Sequence, residues 1–353
     1  MSSALPDTSS LAQTESAAAT APVDARHMAR FLSSIPSETS AGERALLFDY
    51  FRGEWPGDGP VVEIGPFLGG TTRAIACGMT ANPRRAPEAR LHTFDRFAAY
   101  YQPERLRTTI APLVNSGVFS AEQADRLAAS GDFLAIFDAI HRPHDYARLL
   151  VVHSSPLPDF PEELAGASAL DPLADECDLT ALFIDGCKSW ASTRYAMCFL
   201  LPRTRVGAPV IFQDYGWYTC FWISAFVFAL DDALELKRCV DSTYVFTLKR
   251  SISAEEIARR FAGRPEEMGL DFFKRSCLAL LKRSVARKDL RGGLVAQLHL
   301  VAALATLGRE AEARSILAKI DAAAYGPLAR MIEGSKKSPT YRPGNRPIVW
   351  AAA

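Results

Sequence analysis

The chain has 353 residues, enough for one large domain and a smaller one. Forty Lys and Arg balance forty Asp and Glu, which gives no support to a nucleic-acid or anionic-membrane partner, since both need a basic surface. No run is long and apolar enough to span a bilayer, and seven scattered cysteines without a C-x-x-C pair fit free thiols in a reducing cytoplasm better than a disulfide framework or a zinc site.

Residues 1–24 are rich in Ala, Ser, Thr and Pro. They lack the basic start and apolar core of a secretory signal, so they read as a disordered lead. Residues 25–32 and 40–52 read as helices, the second with Leu46, Leu47, Tyr50 and Phe51 at helical spacing. The next stretch, 61–72, organises the rest. Val61, Val62, Glu63 and Ile64 are a short buried strand, Gly65 breaks it, and Pro66, Phe67 and Leu68 lead to Gly69 and Gly70. Thr71 and Thr72 then open a helix. Strand, glycine turn and helix start make a nucleotide-binding corner. A dinucleotide fold wants G-x-G-x-x-G, and Phe67 stands where the middle glycine admits the pyrophosphate.

The spacing present is E-x-G-x-x-x-G-G-T-T. It resembles motif I of the class I S-adenosylmethionine-dependent methyltransferases. The resemblance implies that Gly65, Phe67, Gly69, Gly70, Thr71 and Thr72 line the methionine part of that cofactor, with Glu63 helping to hold its amino end. A second strand, 89–97, ends in Asp95 about twenty residues past the glycines, as a ribose-binding carboxylate would; a plain loop cap is the alternative.

Helical pieces follow at 120–127 and 133–140. His141 and His144 flank Pro143, which makes a regular ligand pair on one helix unlikely and favours a surface turn. A third strand at 147–153 ends at Ser154 and Ser155, candidates for the adenine side. A fourth at 179–186 ends in Asp185, a fifth at 208–216 carries Gln213 and Asp214, and 236–239 with 243–250 close the sheet as a strand pair. This alternation predicts an α/β fold: a doubly wound, mainly parallel seven-stranded sheet of the Rossmann-like methyltransferase kind over residues 25–250.

From 251 to 334 the pattern is helical only, an all-α C-terminal extension with one tetratricopeptide-like hairpin at 293–320. Residues 335–353 read as a loose tail.

In an open parallel sheet, ligands lie beyond the carboxyl ends of the strands. In the methyltransferase strand order that the resemblance implies, strands four and five are neighbours, so Asp185 and Asp214 at their ends should converge on one spot, and two carboxylates suit a hard divalent cation. The wording of these two ends, F-I-D-G-x-x-x-W and D-Y-G-W-Y-x-C, looks like the macrocin O-methyltransferase family, which methylates sugars in bacterial natural products. The resemblance covers about residues 61–228. It implies magnesium held by Asp185 and by the pair position Gln213 and Asp214, a base that removes the acceptor proton, and a small-molecule or glycan acceptor. The sequence departs from the family at Gln213, where an acid is usual, and at Lys188, where a histidine is usual. Lys188 is then a base, a substrate contact or a solvated charge, and Asp185 a metal or substrate contact or a helix cap. The expected protein is a cytoplasmic O-methyltransferase, possible as a homo-oligomer. The rival is a degenerate cofactor-binding subunit that serves a partner through its C-terminal helices.

Overall fold

The computed structural model describes residues 25–98, 101–344 and 346–350. The expected disordered lead at 1–24 lies outside them. Among the described residues, seven strands form one sheet: β1 (Val61–Ile64), β2 (Leu91–Asp95), β3 (Leu150–Ser154), β4 (Ala181–Ile184), β5 (Pro209–Phe212), β6 (Leu234–Val240) and β7 (Thr243–Leu248). Their spatial order is β3-β2-β1-β4-β5-β7-β6. The first five run parallel, and β7 enters antiparallel between β5 and β6. The order reverses between β1 and β4, which is the switch point where such sheets bind ligands.

The short apolar strands are buried on both faces, so side-chain alternation splits each between two cores. Val62, Ile64, Leu182, Ile184, Val210 and Phe212 pack on the Trp190–Leu200 and Phe221–Ala229 helices and, through them, on the C-terminal helices. Val61, Leu91, Ala181, Phe183 and Ile211 pack on the Ala41–Gly53 and Gly70–Ala81 helices. A smaller core joins Leu68 and Phe97 to the Pro103–Asn115, Ala121–Ser130 and Phe133–His141 helices.

The C-terminal helices are fastened by a buried histidine. His299, on the Leu290–Thr306 helix, has Nδ1 2.8 Å from Ser224 Oγ and Nε2 2.8 Å from the Trp217 carbonyl. The hairpin read at 293–320 appears as Leu290–Thr306 against Glu310–Leu317.

The segment expected to be a loose tail is docked over its described part. Ser335 and Thr340 are fully buried, Thr340 Oγ1 donates to the Thr219 carbonyl at 2.7 Å, and Trp350 Nε1 donates to Ser335 O at 2.9 Å. Its polar, proline-rich composition hid this because the anchors are single side chains, not a periodic face. No helix among the described residues is long and apolar enough to cross a membrane.

Candidate active site

The corner after β1 is built by close packing. Gly65 has φ +84°, and a Cβ there would lie 2.4 Å from the backbone nitrogen of Gly186. The ends of β1 and β4 therefore touch, and the Ile64 carbonyl accepts from both Asp185 N and Gly186 N at 2.8 Å. Gly69, φ +85°, is the N-cap of the Gly70–Ala81 helix; its Cβ would meet His141 Nε2 at 1.8 Å. A Cβ on Gly70 would meet Ser37 Cβ at 2.6 Å.

In the direction a Cβ would take, Gly69 faces His141 and Gly70 faces Ser37, so a side chain at either position would displace them. Glu63 is fully buried and accepts from Thr71 Oγ1 at 2.6 Å and Thr72 Oγ1 at 2.7 Å. The three hold one another and brace the corner from beneath. Burial pushes the Glu63 carboxyl up to about 7, against the pull of the two threonine hydroxyls. His141, expected in a surface turn, is buried: Nε2 lies 3.1 Å from the Leu68 carbonyl and Nδ1 2.9 Å from Tyr146 Oη.

Gly65 and Phe67 are the half-buried residues of the corner. Phe67 takes the left-handed conformation, φ 54°, and its ring packs against Tyr101 and Phe133. Asp95 ends β2 beside it. Its carboxylate accepts from Phe67 N at 3.2 Å and Phe97 N at 2.9 Å, so it helps to position the corner loop. Ser154 is exposed at the end of β3, in register with Asp95.

On the other side of the switch point, Asp185 and Asp214 meet through a lysine. Lys188 Nζ donates to Asp185 Oδ1 and to Asp214 Oδ2, each at 2.6 Å. Lys188 sits just before Ser189, which caps the Trp190–Leu200 helix. Asp214 follows β5 with φ 62°, a sparsely populated backbone conformation that Asp tolerates better than most residues. The side chains of Lys188, Asp185 and Asp214 are 41%, 18% and 21% exposed, so the cluster opens to solvent at the sheet's edge. Burial works against the ammonium, but the two carboxylates outweigh it and hold Lys188 well above its ordinary pKa. In this arrangement its ammonium is held between the two carboxylates. Burial, with Asp214 adding to it, pushes the Asp185 carboxyl up to about 7 against the pull of Lys188.

Gln213 does not join this cluster. Its amide donates to Ser242 Oγ at 3.0 Å and to Glu43 Oε1 at 3.4 Å, and Thr243 Oγ1 donates to its carbonyl oxygen. Gln213 and Asp214 lie in the turn after β5, where Asp214 takes φ 62°, and their side chains meet different partners. The residues consequently do not fit a magnesium ion. Hard cations want about six oxygens; here two carboxylates converge, an ammonium lies between them, and the third expected ligand faces away. Among the described residues no group of three His, Cys, Asp or Glu could hold a metal.

The rim includes residues that the sequence did not single out. The Tyr101 hydroxyl donates to Glu38, and Glu38 adds its field to Asp185. Tyr341, from the docked tail, is within electrostatic reach of Glu38, Asp214 and Lys188; burial first, then Cys220 and those carboxylates, raise its phenol. No local pattern signals Glu38 or Tyr341, because both arrive from the ends of the chain. Two surface hollows lie elsewhere, one of about 410 Å³ between Phe119 and Ala139 and one of about 280 Å³ by Tyr195 and Phe199.

The strand order and the corner at its switch point define a Rossmann-like methyltransferase fold with a helical C-terminal region. No protein-family model and no curated protein matches the chain. Solved structures similar to it include the O-methyltransferase NovP, at 20% identity over 59% of this chain and 78% of that one with a TM-score of 0.34. Another is the calicheamicin methyltransferase CalS11, at 15% identity over 64% and 86% with a TM-score of 0.41. A third is an O-methyltransferase from Bacillus cereus in complex with SAH, at 12% identity over 64% and 88% with a TM-score of 0.32.

Proposed function

We propose that this chain is an S-adenosylmethionine-dependent O-methyltransferase acting on a hydroxyl of a small molecule or sugar. The observation that carries the reading is the Asp185–Lys188–Asp214 bridge, at the switch point and beside the half-buried Gly65 and Phe67. The charge of this edge favours a cationic sulfonium over an anionic pyrophosphate. Asp95 ends β2, Asp185 and Asp214 follow the ends of β4 and β5, and Lys188 bridges the latter two. The start of the Gly70–Ala81 helix, which would cradle a phosphate, is covered by Ser37.

Bound S-adenosylmethionine supplies an electrophilic methyl group. Gly65 and Phe67 would face its methionine part, with Asp95 and the exposed Ser154 toward the nucleoside. Lys188 has three N–H donors and uses two on the carboxylates. The third orients the acceptor oxygen and steadies the charge that develops there. Asp185 takes the hydroxyl proton, a task for which a carboxyl titrating near neutrality is suited. Tyr341 and Glu38 then shape the acceptor side of the rim.

Isothermal titration with S-adenosylmethionine tests the cofactor half. Micromolar binding is expected, and no heat ends the reading. Formation of S-adenosylhomocysteine with an acceptor, lost in Asp185→Asn, tests the chemical half. One observation favours the rival of a cofactor-binding partner subunit: the usual histidine position holds a lysine whose ammonium is engaged by two carboxylates. Cofactor binding without turnover on any hydroxyl acceptor would select it.

A further inference from the structure

The two carboxylates converge on a single point, and that point is an ammonium nitrogen. Each carboxylate oxygen is 2.6 Å from Lys188 Nζ. Divalent cations bind carboxylate oxygens at about 2.0 to 2.6 Å, so Nζ stands where such an ion would stand between these two ligands. Both cannot be there. The pair also needs a cation, because two carboxylates held this close repel strongly when nothing lies between them. Gln213, the third ligand expected from the sequence, is committed to Ser242, Glu43 and Thr243.

We infer that the Lys188 ammonium is a built-in replacement for a divalent cation at the acceptor site, so that the native site excludes divalent metals and removal of the lysine side chain opens a site that binds one. The inference deepens the acceptor site proposed above, but its central claim concerns charge and space and needs no turnover. Lys188 supplies one positive charge and directional N–H donors in place of two charges and open coordination positions. It also arrives with the chain, three residues after Asp185 and just ahead of the Trp190–Leu200 helix. The site is thus complete on folding and independent of the supply of metal.

Titration of the purified full chain with Mn²⁺, followed by the electron paramagnetic resonance of the free ion, tests this. The wild type is expected to bind no Mn²⁺ that depends on Asp214. Lys188→Ala is expected to gain one equivalent, at least roughly tenfold tighter than any wild-type binding, and to lose it again when Asp214→Asn is added. Wild-type binding of one equivalent that Asp214→Asn weakens overturns the inference. So does a folded Lys188→Ala that gains nothing. Lys188→Ser is the second variant should the alanine variant not fold. Should neither fold alone, folding restored by Mn²⁺ supports the inference, and no restoration overturns it. Failure of the methyltransferase reading is seen separately, as absence of heat with S-adenosylmethionine, and leaves the Mn²⁺ result untouched.

Discussion

A Cβ on Gly69 would lie 1.8 Å from Nε2 of His141. A buried imidazole therefore leaves no room for a side chain at the second glycine position of the corner. The ring is held on both sides, by the Leu68 carbonyl and by Tyr146, whose hydroxyl also accepts from Arg73 Nε at 3.0 Å. His141 ends the Phe133–His141 helix, so the corner and that helix move together.

Gly69→Ala should consequently damage the fold before it damages any ligand contact. The left-handed conformation alone costs about 1 to 2 kcal/mol for a residue with a Cβ, and the overlap with His141 adds to it. A loss of at least ~3 kcal/mol in urea unfolding is expected. Pairing it with His141→Ala removes the overlap but not the backbone cost. The double variant should then lose about 1 kcal/mol or more less than the sum of the single losses. Strict additivity would show that the two residues do not press on each other.

How much of this was legible in the sequence differs from residue to residue. The convergence of Asp185 and Asp214 followed from the strand order that the methyltransferase resemblance implied, because neighbouring parallel strands bring their carboxyl ends together. The divergence of Gln213 from Asp214 comes from the turn after β5, where Asp214 takes a left-handed backbone, and a family pattern that treats them as a pair hides it. Gly69 and Gly70 look like ligand-approach glycines because a sequence shows that a Cβ is missing and not what fills the space. His141 was masked by Pro143, two residues on, which suggested a turn at the surface. Glu38 and Tyr341 reach the rim through long-range docking that no local spacing encodes.

The buried histidines give a pH dependence with a definite sign. Burial lowers His299 to about 4 and His141 to about 3. Between those values and the ordinary ~6.5, the unfolded chain binds protons that the folded chain refuses, so each histidine destabilises the fold as pH falls below about 6.5. Glu63, raised to about 7 by burial, acts in the opposite sense: below about 7 the folded chain holds its proton more tightly than the unfolded one. The test is thus a difference between variants. Wild type should lose roughly 2 kcal/mol relative to His299→Gln between pH 6.5 and 5, measured by urea unfolding. A difference independent of pH would mean that His299 is not held neutral.

Lys188→Met removes the bridge charge while keeping most of the side-chain volume. Without the third N–H at the acceptor oxygen, methyl transfer should slow by about 10² or more. The dissociation constant for S-adenosylmethionine should change only a few-fold, since the proposed function puts the lysine on the acceptor side. Rates and titration heats measured on the same preparation separate the two. A large loss of cofactor affinity with unchanged turnover would place Lys188 on the wrong side of the site.

The docked tail can be tested without any substrate. Thr340 is fully buried and its hydroxyl donates to the Thr219 carbonyl, one residue before Cys220 and the aromatic helix behind Asp214. Thr340→Val keeps the shape and leaves that carbonyl without its partner, which should cost about 1 to 2 kcal/mol. Limited proteolysis should find the wild-type segment 335–344 resistant and the variant cut within it, because cleavage follows the population of the opened segment when opening is fast. Because Tyr341 is the next residue, the same loosening should raise the KM for an acceptor while sparing cofactor binding. Equal cleavage of wild type and variant would return this segment to the loose tail that its composition suggests.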